Sequence, residues 1–246
     1  MSEHTTSNDN LTLFQKLHLQ LAEIIESTPA GEKLKSEPEL AASLGVSRAT
    51  LREAMRSFEG QGLIRRRQGV GTFVLDQQQN IESGLEILES IETQATRLGM
   101  DVKMGYLGIN KSKAGQDIGQ KLEISPEDQI VKISRVIWVA DHPVAYLIDI
   151  LPENILPEDD LVNGFTGSVL DLIIKRGSYQ LSHSKTYISA CPASSDIAKK
   201  IQMQRGDVVQ KFEAYLFETS GRIIDYSESY FAPGFFKFHV IRKIGN

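Results

Sequence analysis

The stretch that most constrains this chain is Ser36 to Gly60, SEPELAASLGVSRATLREAMRSFEG, where two capped helices meet at one glycine. Ser36 with Glu39 forms a capping-box pattern and Pro38 sits in the first turn, where its missing N–H costs nothing, so a short helix is predicted up to Leu44. Gly45 ends it as the left-handed residue of a tight turn. Ser47 caps the next helix, predicted to about Gly60, with Leu51, Met55 and Phe58 on one face and Arg48, Arg52 and Arg56 on another. Ahead of this pair, Leu13, Leu17, Leu21, Ile24 and Ile25 recur at helical spacing, and Thr28-Pro29-Ala30-Gly31 closes that helix. Behind it, Leu63 to Arg67 and Thr72 to Leu75 flank the turn Gln68-Gly69-Val70-Gly71, a hairpin signal. Helix, helix-turn-helix and hairpin together read as a winged helix-turn-helix over residues 11–75.

Charge supports a partner for this region. The chain carries 27 basic and 32 acidic residues, a net charge of −5 that disfavours nucleic acid taken as an average. Between Val46 and Thr72, however, six arginines (48, 52, 56, 65, 66 and 67) face only Glu53 and Glu59. A basic island in an acidic protein is the footprint of a DNA-contacting module on a larger body that makes no such contact.

The polar run Asp76-Gln77-Gln78-Gln79-Asn80 offers nothing to bury, so residues 76–88 read as a linker and 89–246 as a second domain. There, Ile130 to Val139 and Val144 to Leu151 flank Asp141-His142-Pro143 as one hairpin. Val208 to Phe217 and Arg222 to Phe231 flank Thr219-Ser220-Gly221 as another. A strand over Phe235 to Ile244 and helices over Ser112 to Leu122, Ser168 to Arg176 and Ser194 to Met203 complete an α+β domain, an antiparallel sheet with packed helices.

No apolar run approaches a membrane span, and the first ten residues have neither a basic region nor an apolar core, so neither a membrane segment nor a secretory signal is expected. The single cysteine, Cys191, cannot form an internal disulfide, which points to a reducing cytoplasm. His4, His18, His142, His183 and His239 lack metal-ligand spacing, no cofactor motif is found, and no nucleophile or acid–base pair stands out, so no metal, cofactor or catalytic residue is expected. The acidic loop Glu153, Glu158, Asp159 and Asp160 reads either as a solvated loop or as a cation attractor. Trp138 and the phenylalanines at 231, 235, 236 and 238 read as core, with pocket lining or a dimer interface as alternatives.

Residues Gly31 to Val74, and above all LGVSRATLREAM and the wing GVGTFV, resemble the winged helix-turn-helix of GntR-family bacterial transcription factors. The resemblance implies base-reading arginines at Arg48 and Arg52, a wing-tip glycine entering the minor groove at Gly69, and phosphate contacts at Ser36, Thr50 and Thr72. Arg65, at the base of the wing, is assigned to phosphate as well. Lys35 stands where the family usually has proline, and Pro38 where it often has a base-reading arginine, so operator preference is expected to depart from the family's. Lys35 is either a substitute phosphate contact or a solvated lysine.

From about Glu89 onward the order of elements resembles the UTRA effector-binding domain of HutC-type members, whose fold is similar to chorismate lyase. That resemblance implies an effector whose anionic group is held by Ser90, Arg135 and Ser168. Arg135 also stands among Val131, Ile133, Val136 and Ile137, and a charge inside an apolar strand needs either an anionic partner or a solvent-facing position. Three polar family positions are apolar here, at Ile137, Leu147 and Phe236, so a small anion with an apolar body is expected, a sugar phosphate being the alternative. The expected function is a ligand-responsive repressor that binds near-palindromic double-stranded operator DNA as a homodimer. A lyase-like enzyme fused to a DNA-binding module and a ligand-free architectural protein are the competing classes.

Overall fold

The computed structural model describes residues 12–67, 69–75, 81–139, 142–156, 161, 165 and 167–244, and the chain separates into two units, residues 1–79 and 80–246.

In the first unit, α1 (Leu13–Ser27) opens on a capping box between Thr12 and Gln15, α2 (Glu37–Ser43) follows, and α3 (Arg48–Gly60) is capped by Ser47. Gly45 has φ +65°, as a tight turn between α2 and α3 requires. Leu17, Leu21 and Ile25 of α1, Leu40 of α2 and Leu51, Met55 and Phe58 of α3 bury together with Ile64 and Val74. The last two come from β1 (Ile64–Arg67) and β2 (Gly71–Val74), an antiparallel pair in the register Ile64↔Val74. Residues 31–34 run beside β2, Leu34 donating to the Thr72 carbonyl at 2.8 Å and Val74 to that of Glu32 at 2.9 Å. The wing therefore grows from the same core that holds α3.

The main sheet of the second unit is built from β4 (Val102–Lys113), β5 (Gln129–Val139), β6 (His142–Pro152), β7 (Leu181–Pro192), β8 (Val208–Glu218) and β9 (Ile223–Phe231). Their order is β4-β5-β6-β9-β8-β7, antiparallel throughout. The expected hairpins are β5–β6 and β8–β9. The edge strands β4 and β7 were not expected, and the reason is physical: most residues of both are exposed, so the alternation that marks a half-buried strand is absent. The helix expected from Ser112 starts at Gly115 instead, as α5 (Gly115–Leu122), because β4 continues through Lys113.

Two short strands correct the sequence reading. Ile81–Gly84, assigned to the linker, is β3, and of the strand expected over 235–244 only Phe236–His239 forms, as β10. They pair with each other in parallel, Phe236↔Ile81 to His239↔Gly84. Neither is long enough to show periodicity, and each is satisfied only by the other. Residues 76–80, Gln68 of the wing turn and Glu158, Asp159 and Asp160 of the acidic loop lie outside the described residues.

Helices α4 (Ile91–Arg97), α6 (Val169–Arg176) and α7 (Ser195–Lys200) complete the unit. Val169 and Ile173 of α6 belong to one core with Ile133, Leu151 and Leu216, which brings the N-terminus of α6 to the sheet face that carries Arg135.

Candidate functional site

In the first unit, α3 presents Arg48, Arg52 and Arg56 to solvent opposite its buried Leu51, Ala54, Met55 and Phe58. Thr50, at the same end, is half-buried and bonds Ser47 Oγ through its own hydroxyl at 2.8 Å. Lys35 and Ser36 are exposed, and Glu39 accepts from both the Ser36 N–H and its hydroxyl, which holds that carboxylate below its usual range. Gly69 is exposed at the wing tip with φ +75° and open space where a Cβ would stand, so backbone conformation selects glycine there.

Arg52 is tied to a partner that the sequence did not suggest. Its Nε donates to Glu37 Oε2 at 2.6 Å, and Arg66, buried below the wing, reaches Glu37 at 3.5 Å and Glu59 at 3.0 Å. Glu37 thus joins the first turn of α2 to both the recognition surface and the base of β1.

Two expected phosphate contacts need correction. Arg65 is 5% exposed, and burial, with the charge of Arg67 adding to it, pushes its guanidinium down to about 10. Thr72 is 6% exposed and serves β2 through its backbone. A side chain enclosed by its own unit cannot meet a phosphate, and strand alternation in a four-residue wing is too short to have revealed which residues point inward.

In the second unit a cavity of about 710 Å³ opens on the sheet face carrying Arg135 of β5, Leu147 and Asp149 of β6 and Ser227 and Ser229 of β9. Ser90, Ser168 and Phe236 line it as well, so five of the six expected effector residues line one space. Ile137 does not. It lines a separate cavity of about 390 Å³ with Val102, Met104, Thr96, Asp171 and Glu92.

Arg135 is 4% exposed, but its anionic partner is within the chain: Nη1 donates to Asp149 Oδ2, Glu92 Oε1 stands 3.9 Å from Nε, and the guanidinium lies over Phe165. The two serines are likewise engaged. Ser90 caps α4, accepts from Thr93 N–H and donates to Asp171 Oδ2 at 2.6 Å, while Ser168 caps α6 by accepting from the Asp171 N–H. Thr93 Oγ1 adds a second bond to Asp171 at 3.2 Å. Arg135 and Ser90 are thus engaged by carboxylates of the protein and Ser168 by a backbone N–H, so the chain itself supplies an anionic partner for Arg135.

Burial raises the Glu92 carboxyl against the opposing pull of Arg135, and burial with the Asp149 charge raises Asp225 well above the usual carboxylate range. The sequence reading missed Asp149, although Ile148-Asp149-Ile150 carries the same signal as Arg135, a charge within an apolar strand.

The model of the UTRA domain matches residues 97–237, and that of the bacterial regulatory proteins of the gntR family matches 15–74. The chain is a GntR-family regulator with a UTRA domain. It is 26% identical over 196 residues to the transcriptional repressor NagR of Bacillus subtilis, covering 80% of this chain and 79% of NagR. It is 24% identical to the transcriptional regulator YurK of the same organism, covering 85% and 88%. The crystal structure of PhnF from Mycobacterium smegmatis shares the fold with TM-score 0.64 at 16% identity, covering 93% of this regulator and all of that chain. Among the described residues of the regulator no helix is long and apolar enough to cross a membrane, and no group of histidine, cysteine and carboxylate side chains is placed to hold a metal.

Proposed function

We propose that the chain is a homodimeric cytoplasmic repressor whose hold on operator DNA is released when a small molecule occupies the 710 Å³ cavity. The observation that carries this reading is the position of β3. Its Ser83 and Gly84 line the cavity, and β3 is the first described element after the boundary between the two units. A ligand that displaces β3 and its partner β10 acts on the segment leading to the DNA-binding unit. Release requires that the ligand bind the released arrangement more tightly than the DNA-bound one.

Dimerisation follows from affinity. One recognition helix makes few base contacts, whereas two related by symmetry read half-sites about one helical turn apart. NagR, a relative named as a repressor, supports the sign of regulation. The cavity acts here as a binding site and not as a catalytic one.

A metabolite screen by thermal melting, with sedimentation of the same samples, tests the proposal. A ligand at a hundredfold its dissociation constant adds about 2.7 kcal/mol to native stability. The proposal expects such a compound, recovered unchanged, bound to a dimer. Its chemical turnover supports the enzyme reading, and a monomer with and without DNA overturns the dimer.

A further inference from the structure

We infer that the effector carries a positively charged nitrogen that docks against Glu92, with an apolar body directed toward the phenylalanines of the cavity. The inference rests on the reading of this cavity as the effector site and adds the chemistry of its occupant.

The first argument is charge. Among the described residues, the charged side chains lining the cavity are Glu86, Glu89, Glu92 and Asp149 against Arg135 alone. Glu89 is taken up by Arg97 and Glu86 by the backbone N–H of Ile241. Asp149 pairs with Nη1 of Arg135, whose Nε is left without a hydrogen-bond partner and faces Glu92. Asp171, just behind this wall, is held by the hydroxyls of Ser90 and Thr93. Glu92 remains, with a buried Oε1 that has no hydrogen-bond partner and only the outer edge of an ion pair to Arg135 at 3.9 Å.

A buried carboxylate oxygen without a donor is costly, and an incoming anion would meet it at close range beside Asp149. An incoming ammonium supplies the missing hydrogen bond and the missing charge together. Glu92 also stands in the first turn of α4 and lines both cavities.

The second argument is shape. Phe212, Phe231, Phe236 and Phe238 form one aromatic cluster, with centroids 4.5 Å apart for Phe212–Phe238 and 5.0 Å for Phe231–Phe236. All four line the cavity, with Leu147 and Ile188 on the sheet beside them. Glu92 faces Arg135 of β5 while Phe212 stands three strands away on β8, in the register Arg135↔Leu147↔Ser229↔Phe212, and a carboxylate so separated from an aromatic cluster selects a cation with an apolar body.

Calorimetry on the full chain with three probes sharing one apolar body, 2-phenylethylamine, 2-phenylethanol and 3-phenylpropanoate, tests the charge assignment without any variant. The amine is expected to bind at least tenfold more tightly than the other two. Glu92→Gln is expected to bring the amine to the level of the alcohol while leaving the alcohol unchanged, and Ala214→Phe, which fills the cavity from β8, to remove binding. The inference is overturned if the carboxylate binds as tightly as the amine, if Glu92→Gln leaves the amine unaffected, or if none of the three binds. Preference for the carboxylate, lost in Ala214→Phe, sinks the charge assignment alone. Binding that survives Ala214→Phe sinks the reading of the cavity itself.

Discussion

Arg52 Nε donates to Glu37 Oε2 at 2.6 Å, so the recognition helix and the first turn of the preceding helix are joined at the surface expected to face DNA. Glu37 is mostly buried while Arg52 is half exposed, and such a pair contributes at most about 1 kcal/mol to stability. Its effect lies in aim. An arginine held by a carboxylate keeps one rotamer and loses part of its charge to the protein. Glu37→Gln is expected to lower the melting temperature of the first unit less than Glu59→Ala does, because Arg66 keeps its nearer carboxylate, and to reduce discrimination between the operator and single-base variants, measured by competition titration.

Arg48 has no such tether: it is exposed at the N-terminal end of α3, where side chains reach base edges. Arg48→Ala is expected to weaken operator binding by about 1–3 kcal/mol without changing thermal stability. Equal affinity for variant and wild type in an anisotropy titration contradicts the assignment of α3.

Arg66 behaves differently from the exposed arginines of α3 because it is buried and held by Glu37 and Glu59. Glu59→Ala removes the nearer of these two carboxylates, and loss of one partner of a buried pair costs about 3–5 kcal/mol. A large drop in the melting temperature of the DNA-binding unit is expected. A change under about 1 kcal/mol would mean that Glu37 suffices.

Arg65, first assigned to phosphate, becomes a folding residue once its burial is known. Arg65→Ala is expected to lower stability while leaving the slope of log affinity against log salt unchanged. Loss of a phosphate contact would instead reduce that slope by about one unit.

Asp225 in β9 has a carboxyl raised by burial and by the charge of Asp149, so its ionisation opposes folding. The sign follows from the raised folded value: the stability it allows is fully present below the unfolded value near 3.8 and is lost as pH rises through the folded one. Asp225→Asn, neutral at every pH, is expected to melt above wild type at pH 8 and to converge with it near pH 4. A variant that melts lower than wild type at pH 8 contradicts this account.

The parts legible in the sequence were those with local signatures. Ser36, Ser47 and Ser168 each precede an expected helix and each caps one, whereas the short helix capped by Ser90 was not expected. The hairpins β5–β6 and β8–β9 carry apolar strands around turn residues. Strands β4 and β7 were not legible because edge strands exposed along most of their length have no apolar period, and β3 was not because its partner β10 lies some 150 residues away. The same limit applies to the cavity. Ser90 was placed by the resemblance and Arg135 also by its apolar strand, but Asp171, 81 residues from Ser90, occupies the serine only through the fold. Sequence therefore named five residues that line one cavity and missed the carboxylates that engage Arg135 and Ser90 there.

The most direct test of the account is an operator titration. Sites selected from a random DNA pool by the wild-type protein are titrated by anisotropy, with and without a saturating compound identified by thermal melting, and in parallel with Arg48→Ala. The account predicts near-palindromic sites, an affinity lowered at least tenfold by the compound, and a comparable loss in Arg48→Ala without it. An operator affinity that is the same with and without a compound bound in the cavity would contradict the claim that the cavity governs DNA binding.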